Sequence, residues 1–454
     1  MKNYTLYELT PSQDVIQLQT KYTLYKRVVN ILFSATYNES IDYSLMKQAI
    51  NILIKRNDCL RLRFIKQGKQ LKQYFIDEYK IGHIKELTFT SKEEQVNWFK
   101  KKRKKAIQFL KGEVFDPYFI NTYDGKCMVL FRICHLILDL YGLNNLFTDL
   151  YNIYTSLKEN KELPESLEKY EDVIINDLKT KHNVERMEKH LNYYKELLGS
   201  NEEPYYVGIN GKNDKYMSKR QNKGKRAMQM FFINNDTEGY EYEIGTNIVN
   251  KVINLCNEHA LSISNVLFYA CSLTASLING NKKSMLHLQL CNRRSSNIEK
   301  NTCGCKVQSI GCYTKIDFNK SFLDNINTFS LNQTSNYKHI ALPDVEFEQL
   351  VHKIYPSTML ETYYSITFSF IPISNNENIR YEIHSNGKGA LPCYLALLYD
   401  VNNGNIRMCY DCQTKIINEN DVINFHNKYI KVLELISSNP NIILNELTNK
   451  KASI

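Results

Sequence analysis

The sequence has little glycine and proline, the residues that mark fibrous or linker-rich proteins. Its 454 residues include 17 glycines and 9 prolines, which excludes collagen-like, elastic and proline-rich adaptor chains. Apolar residues make up 43% and charged residues 23%, so a disordered chain is also excluded. This length is typical of two or three domains.

Long hydrophobic runs and an export signal are also lacking. The longest apolar stretch, residues 263–278, is interrupted by polar residues such as Asn265 and falls short of the ~20 residues that a bilayer requires. The first residues form neither a basic stub nor an apolar core, so we predict no signal peptide. We therefore expect a cytoplasmic protein that binds no membrane, with its 12 cysteines reduced.

Motifs for metals and nucleotides are missing as well. The pairs Cys303-Gly-Cys305 and Cys409-Tyr-Asp-Cys412 lie far apart, and neither has the second pair that a zinc site needs. The sequence contains no GxxxxGK[ST] loop, no strand-linked GxGxxG and no GxSxG elbow. We predict that the protein holds no metal and no bound cofactor.

The charge balance is mildly basic. Lys plus Arg number 58 and Asp plus Glu number 48, which gives a net charge of +10. The strongest cluster is the run from Lys100 to Lys105, on a predicted helix over 91–110. It indicates either a solvated helix face or a docking surface for an acidic partner. We predict no binding to nucleic acid.

Helical and strand-like segments alternate through both halves of the chain. Strands are predicted at 118–122 and 127–135, joined by a turn at Asp124-Gly125, and a helix begins near Gly142. The pattern predicts an α/β protein of two mixed lobes, 1–180 and 181–454, the first carrying an HxxxD motif. Further predicted helices span 184–198, 246–259, 262–278 and 419–437, and further strands span 285–291, 309–318, 364–370, 379–384, 394–399 and 406–412.

The HxxxD motif places a histidine at the end of the strand over 127–135. Successive side chains on a strand point to opposite faces, so Cys134 and His135 face apart, which excludes a Cys/His catalytic dyad. An imidazole titrates near neutral pH and can take a proton from an attacking amine or hydroxyl. On these residues alone, His135 is either a general base, with Asp139 orienting its ring or bracing the turn, or a core histidine capped by the neighbouring Asp139.

The surrounding residues resemble the condensation domain of nonribosomal peptide synthetases, in the chloramphenicol-acetyltransferase-like superfamily. The segment Cys134-His-Leu-Ile-Leu-Asp139-Leu140-Tyr141-Gly142 is similar to the family motif HHxxxDG. The other matching segments occur in the family's order: 11–13, 56–64 (RHExLRxxF), 170–172, 190–198, 292–293, 310–314 and 342–348.

The motif departs from the family pattern at two positions. Cys134 stands in place of the first histidine, and Leu140 replaces the glycine. The family's first histidine is structural, and the second, which corresponds to His135, is catalytic. Loss of the first therefore leaves the predicted base in place, whereas Leu140 removes backbone freedom beside it.

The resemblance implies a fold and a mechanism. The two lobes are expected to form a V-shaped pseudodimer with a central tunnel that passes His135. An acyl or aminoacyl thioester arrives on the phosphopantetheine arm of a carrier protein, and an amine attacks it to form an amide. The backbone N–H of Gly142 is expected to stabilise the oxyanion. Asp139 is expected to pair with Arg293, and Cys134, Asp139 and Arg293 are structural in this interpretation.

Three functions remain open on these residues. The first is a free-standing, monomeric condensation enzyme in natural-product biosynthesis, an acyltransferase whose carrier proteins act in trans. The second is an acyltransferase of the same fold that forms esters or uses CoA, although the DFGWG signature of the plant enzymes is absent. The third is a catalytically silent module that recruits a partner enzyme. Cys134 and Leu140 favour the third function, and the retained His135 argues against it.

Overall fold

The computed structural model describes residues 4–21, 23, 26–231, 233–373 and 378–449. These residues form two compact units, each with its own β-sheet and core. The first unit comprises Met1–Val184, Asn292–Val307 and Asn375–Lys388. The second comprises Glu185–Cys291, Gln308–Ser374 and Gly389–Ile454. The division into lobes at residue 180 stays a prediction.

A five-stranded sheet forms the centre of the first unit. The strand Cys127–Cys134 lies in its middle and pairs antiparallel with both of its neighbours. The strand order is Ile379–His384, Asn30–Tyr37, Cys127–Cys134, Phe115–Asn121 and Lys85–Thr88. A smaller sheet contains Tyr7–Glu8, Gln70–Phe75 and Leu62–Gln67. The helices are Pro11–Lys21, Tyr43–Arg56, Lys92–Arg103, Leu140–Lys158, Tyr170–Lys181 and the short Asn297–Lys300.

A six-stranded mixed sheet forms the centre of the second unit. Its order is Val307–Lys315, Ser284–Asn292, Tyr364–Ile373, Cys393–Asp400, Ile406–Gln413 and Thr237–Ile244. A separate pair joins Met228–Gln229 to Glu361–Thr362. The helices are Val184–Gly199, Lys215–Gln221, Thr246–Glu258, Ile263–Ile278, Phe322–Lys338, Asp344–Ile354, Glu419–Ser438 and Leu444–Asn449.

The helix Ile263–Ile278 is the most apolar in the second unit because it is buried along most of its length. Twelve consecutive residues, from Asn265 to Ser276, are inaccessible to solvent or nearly so. Within the described ranges, no single helix has the length and apolar character to cross a membrane; only this helix together with Thr246–Glu258, bent by 115°, passes that test as a pair.

Most of the predicted elements are confirmed, with ends shifted by a few residues. The helix over 91–110 is shorter than expected and ends at Arg103, because the chain then turns and the Ile107 N–H donates to Asn30 Oδ1. Several elements were not predicted, and the longest of them are the strand Thr237–Ile244 and the helices Phe322–Lys338 and Asp344–Ile354. The helix Phe322–Lys338 is rich in Asn, Ser and Thr, which have low helix propensity, and packing of Phe322, Ile326 and Phe329 stabilises it.

Candidate active site

His135 lies directly after the central strand of the first unit. The Cys134 N–H donates to Val114 O at 2.9 Å, and the His135 N–H donates to Val29 O at 2.7 Å. Both neighbouring segments therefore hold the backbone at the point where the strand ends. The alternation of side chains has the expected effect: Cys134 is fully buried, and His135 is partly exposed.

The Cys134 thiol belongs to the apolar core of the first unit. Burial raises the pKa of this thiol to about 12, so it remains protonated and unreactive at neutral pH. This environment explains why a small apolar side chain is accommodated at this position. The prediction that Cys134 is structural stays a prediction.

One hydrogen bond sets the tautomer of the His135 ring. Its Nδ1 lies 2.9 Å from Leu138 O, and because a carbonyl oxygen can only accept, Nδ1 carries the hydrogen. In the neutral ring Nε2 then has a free lone pair, and it has no hydrogen-bond partner within the described residues. Burial lowers the pKa of His135 below its ordinary value, despite the opposing effects of backbone hydrogen bonds and the Asp139 carboxylate. The ring is therefore neutral at pH 7 and can accept a proton at Nε2.

Asp139 makes three contacts at the start of the helix Leu140–Lys158. As the N-cap residue it accepts from Gly142 N through Oδ1 at 2.8 Å. Its Oδ2 accepts from Arg294 Nη1 at 2.9 Å and from Lys306 N at 2.6 Å. Burial alone would raise the pKa of Asp139, but the Arg294 guanidinium and the backbone donors hold it below its usual value. Asp139 is thus an ionised carboxylate that braces the turn.

The predicted pairing of Asp139 with Arg293 is wrong; the partner is the next residue, Arg294. Arg293 points elsewhere, and its Nη2 donates to Asp177 Oδ2 at 2.8 Å. The Arg294 side chain is completely buried, donates to Gly304 O at 2.7 Å and lies over the Tyr141 ring at 4.7 Å. Two adjacent arginines cannot be told apart from the sequence alone, because the direction of the backbone decides which of them faces the carboxylate.

The predicted oxyanion contact of Gly142 is also corrected. Its N–H donates to Asp139, so it is already engaged in capping the helix. Glycine is required here for a steric reason, because a Cβ on residue 142 would lie 2.8 Å from Gly304 O and clash with it. A Cβ on Gly304 would in turn lie 2.1 Å from the Tyr170 ring. Gly142 thus permits a close approach of the helix Leu140–Lys158 to the segment Asn292–Val307, and Gly304 permits the same segment to pack against the Tyr170 ring.

Sequence reasoning missed a buried charged cluster that holds this segment. Lys306 Nζ lies 2.9 Å from Asp177 Oδ1 and 2.6 Å from Glu299 Oε1, and Arg293 pairs with the same Asp177. Burial opposes ionisation of Glu299, but Lys306 and the Ser295 donors lower its pKa to about 2. Charged residues in a polar stretch usually indicate a solvated surface. No signal in the sequence therefore distinguished the four buried charged residues, which are Asp177, Arg293, Glu299 and Lys306.

In the part of the chain that the structure describes, no three His, Cys, Asp or Glu side chains are grouped so that they could hold a metal ion. The candidate site presents the His135 imidazole on the turn that Asp139 caps. A neutral imidazole can accept a proton or position a nucleophile.

The model of the condensation domain family matches residues 3–451 of the sequence. This chain belongs to the condensation domain family. Condensation domains are acyl and peptidyl transferases that act on thioesters held on the phosphopantetheine of carrier proteins. The family resemblance found in the HHxxxDG-like motif is thereby confirmed.

Curated relatives are much longer than this condensation domain. It is 19% identical to one of the plipastatin synthase subunits of Bacillus subtilis (strain 168) over 449 residues, covering 97% of this chain and 17% of the relative. It is 20% identical to surfactin synthase subunit 1 of the same organism, covering 98% of this chain and 12% of the relative. The chain thus spans less than a fifth of each of these proteins.

Solved structures share the fold. The first condensation domain of the calcium-dependent antibiotic synthetase, in complex with a substrate analogue, superposes with a TM-score of 0.80 at 10% identity, over 97% of this chain and 98% of that one. A point mutant of the starter condensation domain of rhizomide synthetase, in complex with C8-CoA, also gives a TM-score of 0.80, at 13% identity, over 97% of both chains. The predicted chloramphenicol-acetyltransferase-like α/β fold is confirmed, and the V-shaped pseudodimer with its tunnel stays a prediction.

Proposed function

We propose that this condensation domain forms an amide bond between a carrier-bound acyl or aminoacyl thioester and an amine. The observation that carries the proposal is the His135 ring. Its Nδ1–H donates to Leu138 O, and its Nε2 keeps a free lone pair on a partly exposed side chain. A neutral imidazole held in one orientation can act as the general base that removes a proton from the attacking amine.

His135 alone can carry the proton through the whole reaction. The amine nitrogen attacks the thioester carbonyl, and His135 Nε2 takes the proton that the nitrogen loses as the C–N bond forms. Collapse of the tetrahedral intermediate breaks the C–S bond, and the imidazolium returns the proton to the departing thiolate. Asp139 takes no part in the transfer; it holds the turn through Arg294 and Lys306. Carrier proteins in trans and a monomeric state stay predictions.

A direct assay tests the proposal. An acyl-loaded carrier protein is mixed with candidate amines, and the amide product is followed by mass spectrometry. We expect His135→Ala to lose about 10²–10⁴-fold in rate. The exposed His83, mutated to Ala, is the matched control and should retain full rate. Equal rates for His135→Ala and the wild-type protein, both folded by circular dichroism, would contradict the assignment.

A silent recruiting module is the second candidate, because Leu140 and Cys134 replace motif residues. Leu140 begins the helix Leu140–Lys158 and packs against the core of the first unit, so it is accommodated without disrupting the turn. In the same assay, carrier binding without product from the wild-type protein would favour the silent module. Turnover of acyl-CoA without any carrier would favour a CoA-dependent acyltransferase.

A further inference from the structure

The basic run at the end of the helix Lys92–Arg103 divides into two sets. Lys102 turns toward the protein, where its Nζ lies 3.3 Å from Asp116 Oδ2 and 4.1 Å from the centre of the Tyr118 ring. Arg103 is half-buried beside Gly387. The other four are exposed, and we call them the lysine patch: Lys100, Lys101, Lys104 and Lys105.

Stability of the fold does not account for the lysine patch. Within the described residues, none of its four ammonium groups has a carboxylate within salt-bridge distance, whereas Lys102 does. Cations near a helix C-terminus are favourable, but like charges four residues apart, such as Lys100 and Lys104, repel each other. An external anionic surface would relieve this repulsion.

The patch is anchored next to the strand end that carries His135. Lys105 O accepts from Asn30 Nδ2 and from Arg132 Nη1, both at 2.8 Å. Asn30 lies opposite Cys134 in the sheet register, and Arg132 lies on the strand Cys127–Cys134, three residues before His135. Arg132 is buried and paired with Asp116, to which Lys102 also binds. A rigid set of contacts therefore fixes the position of the patch relative to the candidate base.

We propose that the lysine patch is the docking surface for the carrier protein that delivers the thioester, through an acidic face of that carrier. The proposal rests on the proposed function and adds the partner's binding surface to it. Charge complementarity steers the encounter and sets its orientation, and the anchoring contacts place that encounter beside the end of the His135 strand. Unpaired exposed charges of one sign suit a partner that must bind and leave in each catalytic cycle.

Paired double variants test the docking surface. Lys100→Glu/Lys104→Glu reverses two patch charges that are four residues apart. Lys219→Glu/Lys223→Glu is the matched control, since it reverses an exposed pair of the same spacing near the end of the helix Lys215–Gln221 in the second unit. The donors are octanoyl groups on acidic carrier domains, on CoA and on N-acetylcysteamine. Binding of each loaded carrier is also measured by titration calorimetry at low and high salt.

We expect the patch variant to raise KM for the carrier-bound donor, and Kd for the carrier, by about 10-fold or more at low salt, with the difference shrinking at high salt. The rate of the patch variant with octanoyl-N-acetylcysteamine, and every KM, Kd and rate of the control variant, should stay within twofold of the wild-type value.

Unchanged carrier binding by the patch variant, or no carrier binding by the wild-type protein, would overturn the proposal. A KM that rises equally for octanoyl-CoA would also overturn it, because the patch would then recognise a phosphate. If the wild-type protein turns over no donor, the proposed function fails, and the binding measurement still decides the docking surface.

Discussion

At the scale of single residues, the site depends on the Nδ1–H of His135 and the carbonyl of Leu138. The contact at 2.9 Å closes a turn of four residues, so the ring orientation follows from local backbone geometry rather than from a distant partner. Asp139 lies one residue further on, and its carboxylate is occupied by other donors. This geometry separates the base from the carboxylate, in contrast to a Ser-His-Asp arrangement in which the carboxylate accepts from the imidazole.

The pH dependence of the rate should report the His135 ring. Only the neutral ring accepts a proton, so the rate falls as the pH drops through the pKa of His135. Because burial lowers that pKa, the acid limb of kcat/KM should lie below the ordinary histidine value of 6.5. The measurement uses an amine acceptor of low pKa, so that protonation of the substrate does not impose its own limb. An acid limb above pH 6.5 would contradict a desolvated base.

At the scale of elements, the segment Asn292–Val307 holds the histidine turn. It supplies Arg294 and the Lys306 N–H to Asp139, and its Gly304 lies against Gly142. Buried charges are costly unless they are paired, and here each carboxylate has a cation or a backbone donor. The element therefore acts as a brace for the start of the helix Leu140–Lys158.

Asp139→Ala should damage folding more than chemistry. Removing one partner of a buried ion pair leaves Arg294 uncompensated and the helix uncapped, so we expect a loss of about 3–5 kcal/mol in the free energy of unfolding. The single tryptophan, Trp98, lies in the first unit, so its fluorescence in a urea titration reports this loss. Adding Arg294→Met should restore part of the stability. An Asp139→Ala protein with wild-type stability and no activity would contradict the bracing function.

At the scale of the whole molecule, each of the two units has its own core, so they need not unfold together. The second unit contains an unusual core residue, His287. Its side chain is fully buried on the strand Ser284–Asn292, and neither ring nitrogen has a hydrogen-bond partner among the described residues. Burial lowers the pKa of His287 to about 3.

Acid should therefore destabilise the second unit. Between the folded pKa of about 3 and the unfolded value of 6.5, the unfolded chain binds the extra proton, so stability is lost as the pH falls through this window. This one residue contributes up to about 1.4 kcal/mol per pH unit to the slope. We expect His287→Met to reduce the slope, measured by far-ultraviolet circular dichroism in urea between pH 7 and pH 4. As a control, His83→Gln changes an exposed position in the first unit and should leave the slope of the unfolding free energy against pH unchanged. If His287→Met also left that slope unaltered, the expectation that burial of the His287 ring makes stability depend on pH would be wrong.

Local patterns of residues were enough to predict the family and most of the helices and strands. A short apolar run identified the strand predicted at 127–135, and the HxxxD spacing singled out His135 and Asp139, because such patterns depend on residues close together in the chain. The order of several weak motifs was enough to identify a condensation domain, which the family match confirms.

Tertiary structure alone decided which distant groups meet. It paired Asp139 with Arg294 instead of Arg293, and it buried Lys306 together with Asp177. These two pairs join residues that are 155 and 129 positions apart in the chain. A shift of one residue in the backbone changes which side chain points inward. The physical reason is that charge burial and close glycine contacts are properties of packing, which local periodicity does not specify.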